Sequence, residues 1–457
     1  MPKSELQKLP ALDALLREIS ALPLIEQFGR DLTQRALREI LDEIRDEIRR
    51  GGAAIPPADT IARAGARLAA WLRPTLIPVI NASGIILHTN LGRAPLSHET
   101  VAAMQTVSGN YSSLEYNLDA GKRGKRSVHA EALLQLLTGA ESALVVNNNA
   151  GALLLVLTSL AKGREVVIAN SQLVEIGGGF RVPDVMRQSG AKLRAIGTTN
   201  RVHLADYGQA LGDMPALALV AHHSNFKIVG FTAEPDIADI ADASHRAGVP
   251  LVYDLGSGAL LDTAQFGLAH EPTVQEALRA GADIICFSGD KLMGGPQAGI
   301  IIGRRDLLDG IKKHPLARAL RADKLILSGV ATTLAHYLKG EALEKIPVWR
   351  MISTPVSEIR ERAARWQQQL RTGEVISGVS MIGGGSLPEE SMPTALLALS
   401  VRRPNRLLER LRRLPMPVIA RVEQEKALFD PRTVLPEQDD CLISGLRAAF
   451  ESEPETG

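Results

Sequence analysis

Ser288-Gly289-Asp290-Lys291-Leu292-Met293-Gly294-Gly295-Pro296-Gln297-Ala298-Gly299 decides the fold. The apolar run before it, Ile284-Ile285-Cys286-Phe287, reads as a buried strand that stops at this loop. The loop sets one lysine among small residues, where a flat ligand can approach the backbone closely. Such a lysine has no packing role. Its amine condenses with aldehydes, and desolvation lowers its pKa toward a reactive range. Taken alone, the same pattern reads as a solvated turn.

Two upstream stretches change that balance. Pro250-Leu251-Val252-Tyr253-Asp254-Leu255-Gly256-Ser257-Gly258 is a second short apolar strand, ending in an acid and then glycines. Asn147-Asn148-Asn149-Ala150-Gly151-Ala152 follows the strand Ala143-Leu144-Val145-Val146 and opens an apolar helix running to about Lys162. A pyridoxal 5'-phosphate enzyme needs these three parts: a lysine for the Schiff base, an acid for the pyridine nitrogen, and a helix N-terminus for the phosphate. Lys291, Asp254 and the turn Asn148, Asn149 and Ala150 supply them. A plain helix cap predicts the same geometry at the asparagines without a ligand. All three lie at carboxyl ends of strands in what reads as one parallel sheet, where such sheets bind ligands.

Bulk properties agree but decide little. With 457 residues and 45% hydrophobic content the chain can bury a large core in two or three domains. Met1-Pro2-Lys3-Ser4-Glu5 is polar, unlike a secretory signal, and no apolar run approaches the roughly 18 residues needed to cross a bilayer. The two cysteines, Cys286 and Cys441, give neither a disulfide framework nor a metal cluster, and Cys286 reads as core packing. A cytoplasmic enzyme that binds no membrane is expected. Net charge is +1, low for a binder of nucleic acid, so phosphate contacts fall to local clusters. Three stand out: Lys122-Arg123-Gly124-Lys125-Arg126; Lys312, Lys313, Arg318, Arg321 and Lys324; and Arg402, Arg403, Arg406, Arg410, Arg412 and Arg413. The last reads best as a solvated helix face.

Three regions follow. Residues 1–75 are helical: Leu37, Ile40, Leu41, Ile44 and Ile48 recur at helical spacing, Gly51-Gly52 gives a stop, and a second helix runs through Trp71. Residues 76–340 alternate strands (143–146, 165–169, 192–196, 216–221, 250–254, 284–287, 298–302) with helices (150–162, 236–247, 273–280), the pattern of a mostly parallel sheet sandwiched by helices. Residues 341–457 mix helices (354–371, 405–413) with short strands near 417–422, as a small C-terminal α+β domain. The tail 451–457 reads as disordered.

These residues also carry a family resemblance, running from about Leu9 to about Val422. The chain resembles bacterial selenocysteine synthases, the L-seryl-tRNA(Sec) selenium transferases, which are pyridoxal phosphate enzymes of fold type I. The likeness is densest in Asn81-Ala82-Ser83-Gly84 through Leu91-Gly92-Arg93-Ala94-Pro95 and in Leu173-Val174-Glu175-Ile176-Gly177-Gly178. It continues in Gly197-Thr198-Thr199-Asn200-Arg201, Ser224-Asn225-Phe226, Asp254 to Gly258, the lysine loop and Arg318-Ala319-Leu320-Arg321-Ala322-Asp323-Lys324.

The resemblance implies conversion of seryl-tRNA(Sec) to selenocysteinyl-tRNA(Sec) with selenophosphate, through loss of the serine hydroxyl and addition of selenide to an aminoacrylyl intermediate. It implies that Lys291 carries the cofactor and Asp254 holds its ring nitrogen. Ser224 and Asn225 would contact the ring hydroxyl or phosphate, and Arg93, Arg318 and Arg321 the anionic selenium donor. Residues 1–75 become the tRNA-gripping domain, and the assembly a homo-oligomer, a decamer built as a ring of dimers that complete each other's sites. His222 and His223 read equally as ring-stacking residues or as buried, hydrogen-bonded ones. One departure stands out: Asn170-Ser171-Gln172 occupies a place where the family usually has Arg-Gly-(Glu or Gln). A relative of the same fold that acts as a lyase or ammonia-lyase on a small amino acid or amino sugar phosphate is therefore the alternative. A non-catalytic RNA-binding protein comes behind it.

Overall fold

The computed structural model describes residues 2–176, 179–224 and 226–451. By contacts the chain divides into two units, Met1–Pro78 and Val79–Gly457.

In the first unit, α1 (Arg30–Arg49) buries Ala36, Leu37, Ile40, Leu41, Ile44 and Ile48 along one stripe, the 3.6-residue repeat visible in the sequence. Helix α2 (Pro57–Leu72) lays Ile61, Ala64 and Leu68 into the same core. Its leading proline costs nothing, because the first helical N–H has no partner in any helix. Arg63 and Arg67 of α2 reach Glu47, Glu43 and Glu39 of α1. Exposed pairs of this kind contribute at most about 1 kcal/mol each, so packing holds the helices together.

The second unit is built on seven strands: β1 (Ser142–Val146), β2 (Glu165–Ala169), β3 (Lys192–Ile196), β4 (Leu217–Ala221), β5 (Leu251–Gly256), β6 (Ile284–Ser288) and β7 (Gly299–Gly303). Their order in the sheet is β1-β7-β6-β5-β4-β2-β3, and β7 alone runs against the others. The strands read as continuous apolar runs because both faces of the sheet are covered. Alternate residues of each strand divide between two cores. Val146, Ile168, Leu219, Val252, Ile284, Cys286 and Ile301 face the helix Asn149–Ala161, here α3. Val145, Val167, Val220, Tyr253, Ile285, Phe287 and Ile302 face the opposite core, with Leu134, Leu334 and Trp349. Val252 and Asp254 therefore point to the same side as α3, which decides what the acid meets.

Beyond helix α4 (Lys324–Leu338) lies a four-stranded antiparallel sheet: β8 (Glu374–Met381), β9 (Ser391–Ser400), β10 (Arg421–Glu423) and β11 (Lys426–Phe429), ordered β8-β9-β11-β10. Short strands were expected near 417–422; the longest pair, β8 with β9, lies earlier. Ser377, Gly378 and Ser380 dilute β8's apolar pattern, and pairing with Leu396, Leu397 and Ala398 of β9 replaces the missing local preference. Buried Asp430 ties this sheet to the start of the unit: it accepts from Ser380 (2.6 Å) and Thr394 (3.0 Å), and its amide donates to Ala82 O at 3.0 Å. Ile86 and Leu87 then donate to Met381 and Ile382 at 2.9 and 2.7 Å, which carries the following loop Gly383-Gly384-Gly385-Ser386 inward. Of the tail read as disordered, 452–457 lies outside the described residues.

Candidate active site

The lysine loop leaves β6 at Ser288 and turns back into β7. It is fastened by Gly289 N to Ala298 O (2.9 Å), Gly295 N to Gly289 O (2.8 Å) and Leu292 N to Ser257 O (3.0 Å). Below it, the buried Tyr337 hydroxyl lies 3.2 Å from Leu292 O and 2.8 Å from Met293 O, and it accepts the indole N–H of Trp349 at 2.6 Å. The loop is thus held from both sides, and Lys291 is 7% exposed. Among the described residues its Nζ makes no hydrogen bond or ion pair. Burial lowers its pKa; the Asp254 charge raises it in part, and Arg93 lowers it further.

Asp254 sits on β5, in register with Cys286 of β6 and Ala221 of β4. It is 8% exposed, and burial raises its pKa, against the Asn149 hydrogen bond and the charges of Lys291 and His222. Asn149 Nδ2 donates to Asp254 Oδ1 at 2.8 Å. Asn148 caps α3, its side chain accepting from Gly151 N at 2.8 Å. The amides of Asn149 and Ala150 make no hydrogen bond among the described residues, as expected at a helix start. Gly299 lets β7 pass this turn: a Cβ there would lie 2.1 Å from Asn148 O.

Three further parts converge on the amine. Gly256, at φ +68°, would place a Cβ 3.2 Å from Ser224 Oγ and 3.8 Å from Lys291 Nζ. Gly385, at φ +82°, would place one 2.7 Å from the same nitrogen. Arg93, itself at φ +63°, donates from Nη1 to Asp290 Oδ2 at 2.7 Å, next to the lysine. Among the described residues, several buried polar atoms on these segments have no hydrogen-bond partner: Arg93 Nε, Asn147 Oδ1, Asn149 Oδ1, Ser257 Oγ and Ser386 Oγ. Buried polar groups are nearly always satisfied, so this concentration marks a place made for a ligand.

The structure therefore gathers Lys291, Asp254, Asn148, Asn149, Ala150, Ser224 and Arg93. Asn225 lies outside the described residues. Arg318 and Arg321 line a cavity of about 620 Å³ with Lys125, Arg126, Lys312 and Lys313, and their segment adjoins the asparagine turn, Asn147 N donating to Leu320 O at 2.9 Å. Two basic clusters far apart in the chain meet there, and Arg321 lies 3.5 Å from Glu115. On and around helix Pro404–Leu411, Arg402, Arg403, Arg406, Arg412 and Arg413 are exposed, whereas Arg410 is half-buried and donates to Ala449 O at 3.1 Å.

The unusual Asn170-Ser171-Gln172 is used internally. Buried Gln172 accepts from Ala221 N at 3.0 Å and donates to Glu234, while Asn170 donates to Gly197 O at 2.8 Å. His222 lies 3.3 Å from the buried Glu271, and His223 is within hydrogen-bonding distance (3.2 Å) of Ser171 O. Sequence reasoning missed Gly385, whose only signal was a glycine run, and the side chain of Asn149, read through its backbone alone.

Residues 79–435 match the family described as L-seryl-tRNA selenium transferase, and residues 6–45 match the one described as selenocysteine synthase N terminal. Among similar proteins, the L-seryl-tRNA(Sec) selenium transferase of Geobacter sulfurreducens is 43% identical, over 96% of this chain and 98% of its own. That of Moorella thermoacetica is 44% identical, over 98% and 97%. A solved structure, D-glucosaminate-6-phosphate ammonia-lyase, superposes with a TM-score of 0.58 at 18% identity, covering 84% of this chain and 98% of that one. At that identity the likeness shows the fold, and it agrees with the fold-type-I expectation.

Proposed function

The chain belongs to the L-seryl-tRNA selenium transferase family, and on that premise we propose that it converts L-seryl-tRNA(Sec) to L-selenocysteinyl-tRNA(Sec) with selenophosphate. The observation that carries this is the buried, unpartnered amine of Lys291 beside the Asp254–Asn149 pair.

The residues present fit pyridoxal 5'-phosphate. Lys291 would hold it through Nζ, Asp254 at the ring nitrogen, and the free amides of Asn149 and Ala150 at the phosphate, with the unpartnered hydroxyls of Ser257 and Ser386 close by. Bound there, the cofactor supplies an aldehyde and a ring that accepts the electrons left when the serine α-carbon loses its proton. The rest is done by the chain. Burial keeps much more of the Lys291 amine neutral than in water, so Nζ can take that α-proton. Asp254, which accepts from Asn149, would keep a proton at the cofactor's ring nitrogen. Arg93 charge-pairs with Asp290 and leaves Nε free for an anion. Arg318 and Arg321, with Lys125 and Lys313, offer their cavity to the selenium donor or to tRNA phosphates.

The domain reading is part of the proposal. The helical region 1–75 grips the tRNA, 76–340 carries the cofactor, and 341–457 closes the site from the far side. Arg17, Arg30, Arg38, Arg50 and Arg73 support the first role, being exposed and without ion pairs among the described residues. A homo-oligomer is supported by Tyr111, Tyr116, Leu118, Val128 and Leu136, apolar side chains left exposed within one stretch. Among the described residues no helix is long and apolar enough to cross a membrane, and we place the enzyme in the cytoplasm with its tRNA. Incubation with seryl-tRNA(Sec) and selenophosphate, followed by analysis of the esterified amino acid, tests the function. Selenocysteine is expected; serine recovered unchanged while free small amino acids are consumed would establish the lyase instead.

A further inference from the structure

We propose that the side chain of Asn149 is a positioning residue for the acid of this site, holding Asp254 in the orientation and ionisation state that the cofactor's ring nitrogen requires. The inference rests on the pyridoxal phosphate reading above and goes beyond the backbone role that a helix N-terminus gives this residue.

Four observations converge on it. The acid lies on the sheet face covered by α3, and Asn149 is the first residue of α3, so their meeting is fixed by two rigid elements rather than by a loop. The Nδ2–Oδ1 distance is 2.8 Å, the length of a charge-assisted hydrogen bond. The backbone amide of Gly256 also donates to this carboxylate, and Asn149 is its side-chain donor among the described residues. Other side chains do not replace it: Asn148 is committed to Gly151 N, Cys286, the register partner of Asp254, is buried in the core, and Lys291 and His222 act on the acid through their charge. Finally, Asn149 Oδ1 is buried without a hydrogen-bond partner among the described residues. A side chain that served only to cap or pack would not leave an acceptor stranded; one amide, turned so that its donor meets the acid, does.

The chemical consequence follows. A carboxylate enclosed by protein tends to pick up a proton, and a neutral acid cannot hold a protonated ring nitrogen. The Asn149 amide, alongside the Gly256 backbone amide, donates to the ionised form and opposes that tendency. Losing a hydrogen bond of this class changes the ionisation equilibrium about tenfold, or about one pH unit. An unprotonated ring withdraws less charge from the lysine-linked nitrogen, which then keeps its proton to higher pH. The pH midpoint of the bound cofactor's visible band reports this without any turnover.

The test uses full-length protein loaded with pyridoxal phosphate. In Asn149→Ala the midpoint of the visible band is expected to rise by about one unit. The isosteric Asn149→Asp, spared a packing defect, should shift it in the same direction by more, since two adjacent carboxylates share a proton. In an Asp254→Ala background Asn149→Ala should change nothing, because its effect runs through the acid. A cofactor analogue with carbon in place of the ring nitrogen should likewise erase the difference in affinity between native and Asn149→Ala protein. An unshifted midpoint in both Asn149 variants, or the same shift without Asp254, would overturn the inference while leaving the cofactor assignment intact. A native protein that shows no visible band at all would overturn the cofactor assignment, and this inference with it.

Discussion

Replacing Gly385 by alanine isolates the most exacting contact in the site. The residue sits at φ +82°, where alanine costs about 1–2 kcal/mol. The added methyl would fall 2.7 Å from Lys291 Nζ and 3.0 Å from its Cε, inside the 3.4–4 Å of ordinary contact. The end of the lysine must therefore retreat by roughly 0.5–1 Å, and a misplacement of that size at a reacting atom lowers rate by about 100-fold. Gly340→Ala separates the two effects: Gly340 has φ +72° with nothing within 4 Å of its would-be Cβ. Both variants should lose similar stability in thermal unfolding, since both carry the same backbone cost. Only Gly385→Ala should also lose cofactor loading, read by visible absorption, and turnover of seryl-tRNA. Turnover within about threefold of native in a folded, loaded Gly385→Ala protein would refute the reasoning, because the amine would then have no fixed place to lose.

Three further outcomes are expected. The rate at which empty protein captures pyridoxal phosphate should rise through a midpoint below 10.5, the ordinary value for lysine, because burial lowers the Lys291 pKa and the reactive neutral amine appears earlier as pH rises; a midpoint at or above it would remove the desolvation argument. Tyr337→Phe strands the Trp349 indole N–H and should cost about 1–3 kcal/mol in denaturant unfolding, with looser cofactor binding through Leu292 and Met293; unaltered stability would show the network to be dispensable. Deleting residues 1–78 should weaken tRNA binding at least about tenfold while leaving the visible cofactor band; undiminished tRNA affinity would move recognition into the second unit.

How much of this was legible in advance divides along a physical line. Local sequence patterns carried the strands, since a run covered on both faces must be apolar throughout, and residues 165–169 and 192–196 were bounded to the residue. The same runs pointed to Lys291 and Asp254, because the lysine loop, which alone reads as a solvated turn, comes with a strand ending in an acid and an asparagine turn opening a helix, the three parts the cofactor needs. Strand β8 was not legible: its seryl and glycyl positions gain their place only from β9 across the ladder. Arg318 and Arg321 were grouped with the site by resemblance alone, and only packing shows that they share a cavity with Lys125 and Arg126 next to the asparagine turn.

The sequence by itself determined the chemistry available, an amine, an acid and a helix N-terminus at strand ends, because each depends on residues adjacent in the chain. Only the tertiary structure decided that Asn149 would meet Asp254 and Gly385 would meet Lys291. Those contacts join segments roughly a hundred residues apart, and their geometry is set by which face of the sheet each side chain leaves and how closely one backbone passes another.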